Sequence, residues 1–396
     1  MSPGLIVLIL SLLLGLQPVT TDLYLPALPV IVDGFGAPMT QAQLTLTSLL
    51  LAFGVSQLIW GPVSHRFGRR PILLAGLGAY MVASAASALA PSMAVLIICR
   101  TVQGAAMGAG VMCARAVVRD LYNPMDGARV MSKGLTGLGI IACCCAPLGG
   151  LLTDLLSWRA ALLMLALFGA ASLAVVALRF EETLSQRSLM ALQPRVLLGT
   201  WVGIVRHPTF LAYSALATAS YGVLFTFLAA SSFVFIKVLG LSKTQYGLAM
   251  FCMSFVYMLG TLLCRRLLPR FGVRHSVAIA AAMTLTGGVV MLALALAGVQ
   301  SIWAILLPFD LIMLAHGVHQ PCSQSGAVGP FPQSAGAASA LNGFFMMLAA
   351  FAMGGWLGTH LDGTIYPLVY GVFFWCVLIA LAAWVLVQKY GDPGHP

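Results

Sequence analysis

The chain has 396 residues, 60% of them hydrophobic and only 8% charged, against about 25% charged in an ordinary soluble domain. So few ionisable side chains cannot solvate a globule of this size. A soluble enzyme is excluded, and so is a nucleic-acid binder, which needs a basic soluble face that the net charge of +10 does not build here.

A membrane-crossing helix with its share of loop takes roughly 30–35 residues, so the length accommodates about twelve. The opening Met1-Ser2-Pro3-Gly4 lacks a basic leader segment, and Leu5–Gln17 runs on without a small-residue cleavage site, so the first apolar run is expected to be a retained span. Apolar runs predict spans at 4–25, 41–62, 72–90, 93–114, 130–152, 160–178, 209–236, 244–264, 275–297, 301–322, 337–359 and 365–387. The longest hydrophilic connection, Arg179–His207, splits them into two sets of six. The expected architecture is an all-α integral membrane protein with helix bundles over 1–180 and 208–396 and a connecting loop over 181–207. The connection carries Arg179, Glu181, Glu182, Arg187, Arg195 and Arg206, and its apolar-rich stretch Leu189–Val205 suits it to lie flat in the interface.

Positive charge orients the chain. With the N-terminus in the cytoplasm, 16 of the 20 Lys and Arg residues fall on the cytoplasmic side, three (Arg159, Lys237, Lys243) fall outside, and Arg100 lies within span 4. That asymmetry places both termini in the cytoplasm. The nine cysteines lie within or at the ends of apolar segments with no zinc-ligand or secreted-disulfide spacing, and read as small apolar residues. An internal repeat supports two halves. Arg66-Phe67-Gly68 recurs as Arg270-Phe271-Gly272, each just after an even-numbered span, Arg70 recurs as Arg274, and Gly61 is echoed near Gly260. Parallel duplication of a six-helix bundle is a standard transporter plan, with the substrate held between the halves near mid-membrane.

Two acids, Asp22 and Asp310, lie well inside predicted spans, where ionisable groups mark ion or substrate pathways by default. Asp22 sits near the external end of span 1, and Arg100 lies about seven residues, roughly 10 Å, inside span 4 from the same face. Their matching depths allow a pairing or a shared cavity. Burial favours a neutral carboxyl and a nearby guanidinium favours an ionised one, so movement of either group switches proton uptake and release. The plainer alternative is that Asp22 pins a bent helix end beside Pro26 and Pro29. Gln103, Met107 and Gly110 continue the Arg100 stripe at helical spacing, Gln103 placed to hold Arg100 and Met107 to offer an adaptable wall; Gly104 and Gly108 read as helix packing. On span 10, His316 and His319 share a face and Asp310 lies on another, which suggests a kinked helix with hydrogen bonds near Gly317 and Pro321 more than a relay or metal site. Tyr221, Phe225 and Phe227 of span 7, with Asn342 and Phe345 of span 11, offer an aromatic, weakly polar pocket wall.

The segment Gly61-Pro-Val-Ser-His65-Arg66-Phe-Gly68-Arg69-Arg70-Pro71 resembles the loop between spans 2 and 3 of the major facilitator superfamily, as do Arg100-Thr-Val-Gln103-Gly104 in span 4 and Ala146-Pro147-Leu-Gly149-Gly150 in span 5. Thr21-Asp22-Leu23-Tyr24-Leu25-Pro26-Ala27-Leu28-Pro29, Phe180-Glu-Glu-Thr-Leu184 and the stretch from Phe331-Pro332 to Ala340 are similar to the bicyclomycin/chloramphenicol-resistance (Bcr/CflA) group of drug:proton antiporters. The resemblance runs nearly end to end. It implies a monomeric exporter of the bacterial inner membrane that uses no cofactor and is driven by the proton gradient. It further implies proton coupling and substrate recognition through Asp22 and Arg100; Tyr24, Gln103 and Met107 are expected as substrate contacts beside Arg100. Leu14 stands where some relatives carry a second acid, which argues for a low proton stoichiometry.

Gly61, His65, Arg66, Gly68, Arg69 and Arg70 would form a cytoplasmic gate with Arg119 and Asp120 at the end of span 4. The family usually has Asp where this chain has His65, so Arg119 and Asp120 are expected to compensate for a missing latch anion; on the plainer reading these basic residues only set topology. The antiporter motif of span 5 keeps Pro147, Gly149 and Gly150 but has Ala142 and Ala146 where glycines are expected, which weakens the inference of exchange. The leading expectation is proton-coupled efflux of amphipathic small molecules. A dedicated metabolite transporter of the same fold is the runner-up, followed by a non-transporting sensor. An enzyme is disfavoured by the lack of any nucleophile–base pair or metal cluster at workable spacing.

Overall fold

The structure is a computed structural model that describes residues 1–122, 124–184 and 192–391. Arg187 and the first residues of the apolar-rich stretch, 189–191, lie outside them. Among the described residues the chain is helical throughout, with no β-strand, and it divides into two compact units, Met1–Gly199 and Thr200–Pro396.

Unit 1 begins with α1 (Pro3–Asp22), a short 3₁₀ turn (Leu25–Ala27) and α2 (Leu28–Phe35), which together make one bent crossing of 33 residues. The predicted first span stopped at 25 because of Pro26 and Pro29. Each proline instead occupies the first turn of the next helical piece, where its missing N–H costs nothing. There follow α3 (Met39–Phe67), α4 (Arg69–Ala88), α5 (Met93–Leu121), α6 (Pro124–Leu155) and α7 (Trp158–Arg179). A separate amphipathic helix, α8 (Pro194–Val205), is too short to span a bilayer.

Unit 2 comprises α9 (Pro208–Phe233), extended by a π-turn, α10 (Lys243–Leu296), α11 (Ile302–Val328), α12 (Ala335–His360), α13 (Tyr366–Leu381) and, past a second π-turn, α14 (Val387–Tyr390). Eleven helical runs among the described residues are long and apolar enough to cross a membrane. The 54 residues of α10 would reach about 81 Å if straight, more than twice the hydrocarbon thickness. They contain spans 8 and 9, separated at Gly272 (φ 67°, ψ 178°). Counting both, twelve crossings are present.

Gly272 matches Gly68, which has φ 105° and ψ 163° between α3 and α4. Both positions carry the repeated Arg-Phe-Gly triplet, and both need a backbone geometry that only glycine adopts without strain. The duplication extends to helix crossings. In unit 1 a Cβ added to Gly104 would lie 2.0 Å from the Leu49 carbonyl oxygen, and one on Gly108 would lie 2.0 Å from Ser56 Oγ. In unit 2, Gly260 and Gly317 meet backbone to backbone, a Cβ on Gly317 falling 2.5 Å from the Gly260 carbonyl carbon. Gly108 and Gly317 each stand fifteen residues into their helices. Small residues let helices approach where apolar lipid supplies no hydrophobic drive. Gly317→Ala should therefore lower the thermal unfolding midpoint by the equivalent of roughly 1–3 kcal/mol of overpacking, whereas Gly355→Ala, with nothing within 4 Å of the new Cβ, should stay within about 0.5 kcal/mol of the parent. Equal melting of the two variants in detergent would contradict this crossing.

Candidate functional site

The polar core of unit 1 is built on α5. Gly104 and Gly108 hold that helix against α3, and Arg100, one turn before Gly104, is drawn fully inside the unit. Its Nη1 donates to Gln103 Oε1 at 2.7 Å, and its Nη2 donates to the Thr20 carbonyl at 2.9 Å. Thr20 lies in the last turn of α1, where carbonyls lack intrahelical partners. The guanidinium also sits over the Tyr24 ring, 4.2 Å from its centroid, an attraction of about 2 kcal/mol when desolvated. Gln103, equally buried, donates from Nε2 to Ser84 Oγ at 2.6 Å, and Ser84 Oγ donates to the Tyr80 carbonyl at 2.7 Å. The Tyr80 hydroxyl meets Thr20 Oγ1 at 2.7 Å, and Tyr24 donates to Thr45 Oγ1 at 2.8 Å. The network thus closes on itself across α1, α4 and α5. Met107, also fully buried, lies on the same helix two turns past Arg100. Among the described residues Arg100 has no carboxylate partner, and its Nε makes no hydrogen bond.

Asp22 is not paired with Arg100. It is half-buried and accepts from Thr21 Oγ1 at 2.7 Å. Similar depth in the bilayer does not imply the same face of the unit: this end of α1 turns toward α6, where Cys143 and Cys145 lie within reach of the carboxylate charge. The glycine of the span 5 motif makes that approach possible, since a Cβ on Gly149 would lie 2.1 Å from the Leu23 carbonyl oxygen. Gly150 is buried beside it, and Pro147 is half-buried within α6.

The second cluster surrounds the Gly68 turn. Arg69 is fully buried, donating from Nε to Asp120 Oδ2 at 2.9 Å and from Nη1 to Ser64 Oγ. Ser64 donates back to the Gly61 carbonyl at 2.8 Å. Asp120 therefore supplies the anion to Arg69. His65 lies between two guanidinium groups, with Arg69 Nη2 3.2 Å from Nδ1 and Arg119 Nη2 3.3 Å from Nε2. A neutral imidazole has a single acceptor nitrogen, so it satisfies only one of them. Exposed Arg70 donates to the Ala177 carbonyl at 3.0 Å, while Arg66 projects over Phe67 outside the cluster.

One residue of this cluster escaped the sequence reading as a site residue. Glu182 accepts from the backbone N–H of Arg69 at 2.8 Å and of Arg70 at 3.1 Å, the first two residues of α4, and from the N–H groups of Thr183 and Leu184, both at 3.0 Å. It caps a helix whose own N-cap, Gly68, has no side chain, and that vacancy was the available signal. Partial burial opposes the charged carboxylate, but the four donors outweigh it and hold the pKa below the usual glutamate value.

In unit 2, Tyr221, Phe225 and Asn342 are all buried. Asn342 Nδ2 donates to Gln324 Oε1 at 3.1 Å, and its Oδ1 has no hydrogen-bond partner. Phe227 stacks on Phe309 with centroids 3.6 Å apart, and Phe345 packs against Phe210 and Phe344, so these rings serve packing. His316 Nδ1 meets Ser220 Oγ at 2.7 Å and His319 Nε2 meets Thr284 Oγ1 at 3.3 Å, while half-buried Asp310 stands apart on the helix.

Two repeated six-helix units with a buried charge in one of them define a multi-pass membrane transporter. The chain belongs to the Major Facilitator Superfamily, whose family profile matches residues 10–354. It is 27% identical over 385 residues to the bicyclomycin resistance protein homolog of Haemophilus influenzae, covering 97% of this chain and 96% of that one. It is 30% identical over 340 residues to multidrug resistance protein D of Escherichia coli (85% and 84%) and 29% identical over 337 residues to the chloramphenicol resistance protein of Pseudomonas aeruginosa (85% and 79%). Among solved structures, the partially occluded, inward-open xylose transporter XylE from E. coli superposes with a TM-score of 0.76 at 14% identity, covering 98% of this chain and 97% of that one, a likeness of fold.

Glu182→Gln should lower the unfolding midpoint at neutral pH, a lost helix cap being worth about 1 kcal/mol. Because folding depresses the Glu182 pKa, its stabilisation is complete above the ordinary value of 4.5 and fades as pH falls through the lower folded value. Melting curves of the two proteins should therefore converge under acid conditions; a gap that stays constant with pH would argue against the charged cap.

Proposed function

We propose that this chain is a monomeric exporter of amphipathic small molecules in a bacterial inner membrane, with both termini cytoplasmic, exchanging substrate for protons by alternating access and using no cofactor. The observation that carries the reading is Arg100: a guanidinium fully buried in a membrane-spanning unit, bound to a helix-end carbonyl, an amide and an aromatic face but to no carboxylate among the described residues. Burying such a charge is costly and marks an ion or substrate pathway, and Asp22, at the end of the same α1 helix that receives Arg100, is the acid left to exchange a proton there. The curated relatives are named for resistance to bicyclomycin, chloramphenicol and multiple drugs, which supports drug-like cargo.

In this reading Asp22 exchanges a proton for substrate. Tyr24, Arg100, Gln103 and Met107 are the proposed substrate contacts of unit 1, and Tyr221, Phe225 and Asn342 those of unit 2. Pro147, Gly149 and Gly150 let α6 move against the Asp22 end of α1. Of the expected gate residues, Gly61, His65, Gly68, Arg69, Arg70, Arg119 and Asp120 form the gate, with Glu182 added to it, while Arg66 turns away from the cluster over Phe67.

Proteoliposomes test the coupling. An imposed pH gradient should drive flux of a fluorescent amphipathic cation through the parent protein, and Asp22→Asn should reduce it to the level of protein-free vesicles. Flux that persists in Asp22→Asn and without a gradient would replace exchange by facilitated diffusion. The gate has its own test. His65→Asp supplies two acceptor oxygens for Arg69 and Arg119, each charge-assisted bond worth roughly 1.5–3 kcal/mol, and should stabilise the outward-facing state. Cysteines introduced at the cytoplasmic gate should then label more slowly with maleimide, and unchanged labelling would remove the latch role.

A further inference from the structure

We propose that Cys264 and Cys322 form an oxidisable dithiol that closes into a disulfide between α10 and α11. The two Sγ atoms lie 3.9 Å apart on different helices, and the residues are only 3% and 2% exposed. Their proximity is imposed by the backbone. Gly260, one turn before Cys264, meets Gly317, five residues before Cys322, in a glycine-to-glycine crossing with no side chain between the helices. Helices held this closely cannot carry the pair apart, and the sulfurs already face each other. A disulfide needs about 2.05 Å between sulfurs, so rotation of the two side chains has a little under 2 Å to close. Among the described residues this is the one sulfur–sulfur contact between cysteines, and Cys144 and Cys252 are exposed.

The chemistry balances with an organic peroxide as oxidant. One thiolate attacks the O–O bond; a sulfur–oxygen bond forms, and the alcohol leaves with the proton that the thiol gave up, producing a sulfenic acid. The second sulfur then displaces that oxygen, the S–S bond forms, and the oxygen departs as water with the second thiol proton. Two electrons pass from the sulfurs to the peroxide. In the proposed topology both residues lie toward the cytoplasmic ends of spans 8 and 10, in a compartment that keeps thiols reduced, so the bridge forms under oxidative load and reverts afterwards. That location rests on the proposed topology. The pairing itself does not, and its test needs no transport.

The full-length protein in lipid nanodiscs is exposed to increasing cumene hydroperoxide, denatured in N-ethylmaleimide, digested and mapped by mass spectrometry. The expected result is a linked peptide pair containing Cys264 and Cys322, a loss of two alkylatable thiols per chain at those positions, and reversal by dithiothreitol. The unfolding midpoint of the oxidised parent should rise, because the bridge constrains the unfolded chain, and that of Cys322→Ser treated identically should not. Recovery of both residues as maleimide adducts, at peroxide doses that already oxidise Cys144 and Cys252, would overturn the proposal. So would finding them as separate sulfinic acids, or finding cross-links spread evenly over all cysteines.

Discussion

A full positive charge sits inside unit 1 where bulk water cannot reach it, and the arrangement around it follows from that constraint. The cost of burying a guanidinium falls only when its donors find acceptors and its face finds electron density. Here α1 contributes a carbonyl freed by the end of the helix, α5 contributes an amide one turn away, and the turn after α1 contributes an aromatic ring. Each acceptor is itself fixed by another bond, Gln103 by Ser84 and Thr20 by Tyr80. The bend of the first crossing therefore frees that acceptor: a straight helix would have used the Thr20 carbonyl internally.

Unit 2 shows what the same scaffold does without the charge. Phe309 stands seven residues into α11, as Arg100 stands seven into α5, and it stacks on Phe227 in nearly parallel planes, 10° apart. A cation–π contact in one half corresponds to a π-stack in the other. Duplication preserved the crossings and the glycine turns while the chemistry diverged, so the polar demands of the protein fall mainly on its first half. In unit 2, His316 and His319 meet hydroxyls and Asn342 meets an amide, while the carboxyl of Asp310 stands apart from them on α11.

Most of the fold was legible because lipid leaves a chain few options. Hydropathy marked the twelve crossings, and the repeated Arg-Phe-Gly marked the two turns. Boundaries were less visible where proline sat at the start of a helical piece instead of the end of one, as at Pro26 and Pro29. The site was legible in its members and less so in its partners. Arg100 and Gln103 share a helical stripe, and their contact could be read from spacing. The separation of Asp22 from Arg100 could not, because depth in the bilayer says nothing about azimuth around a helix. Glu182 was invisible for a different reason: it acts on backbone N–H groups 113 and 112 residues earlier in the chain, and a backbone donor has no letter in a sequence.

The cap on α4 has a consequence for how this protein tolerates change. Gly68 is required twice over, by a positive φ and by the space its missing Cβ leaves for the carboxylate, since a Cβ there would lie 2.5 Å from Glu182 Oε2. Part of the penalty for any side chain at position 68 is therefore the loss of whatever Glu182 provides. In a chain that has already lost Glu182, that part vanishes. The two positions are epistatic through a contact that neither side chain makes with the other, and a double-mutant cycle across them would register coupling between a residue with no side chain and one whose partners are all main chain.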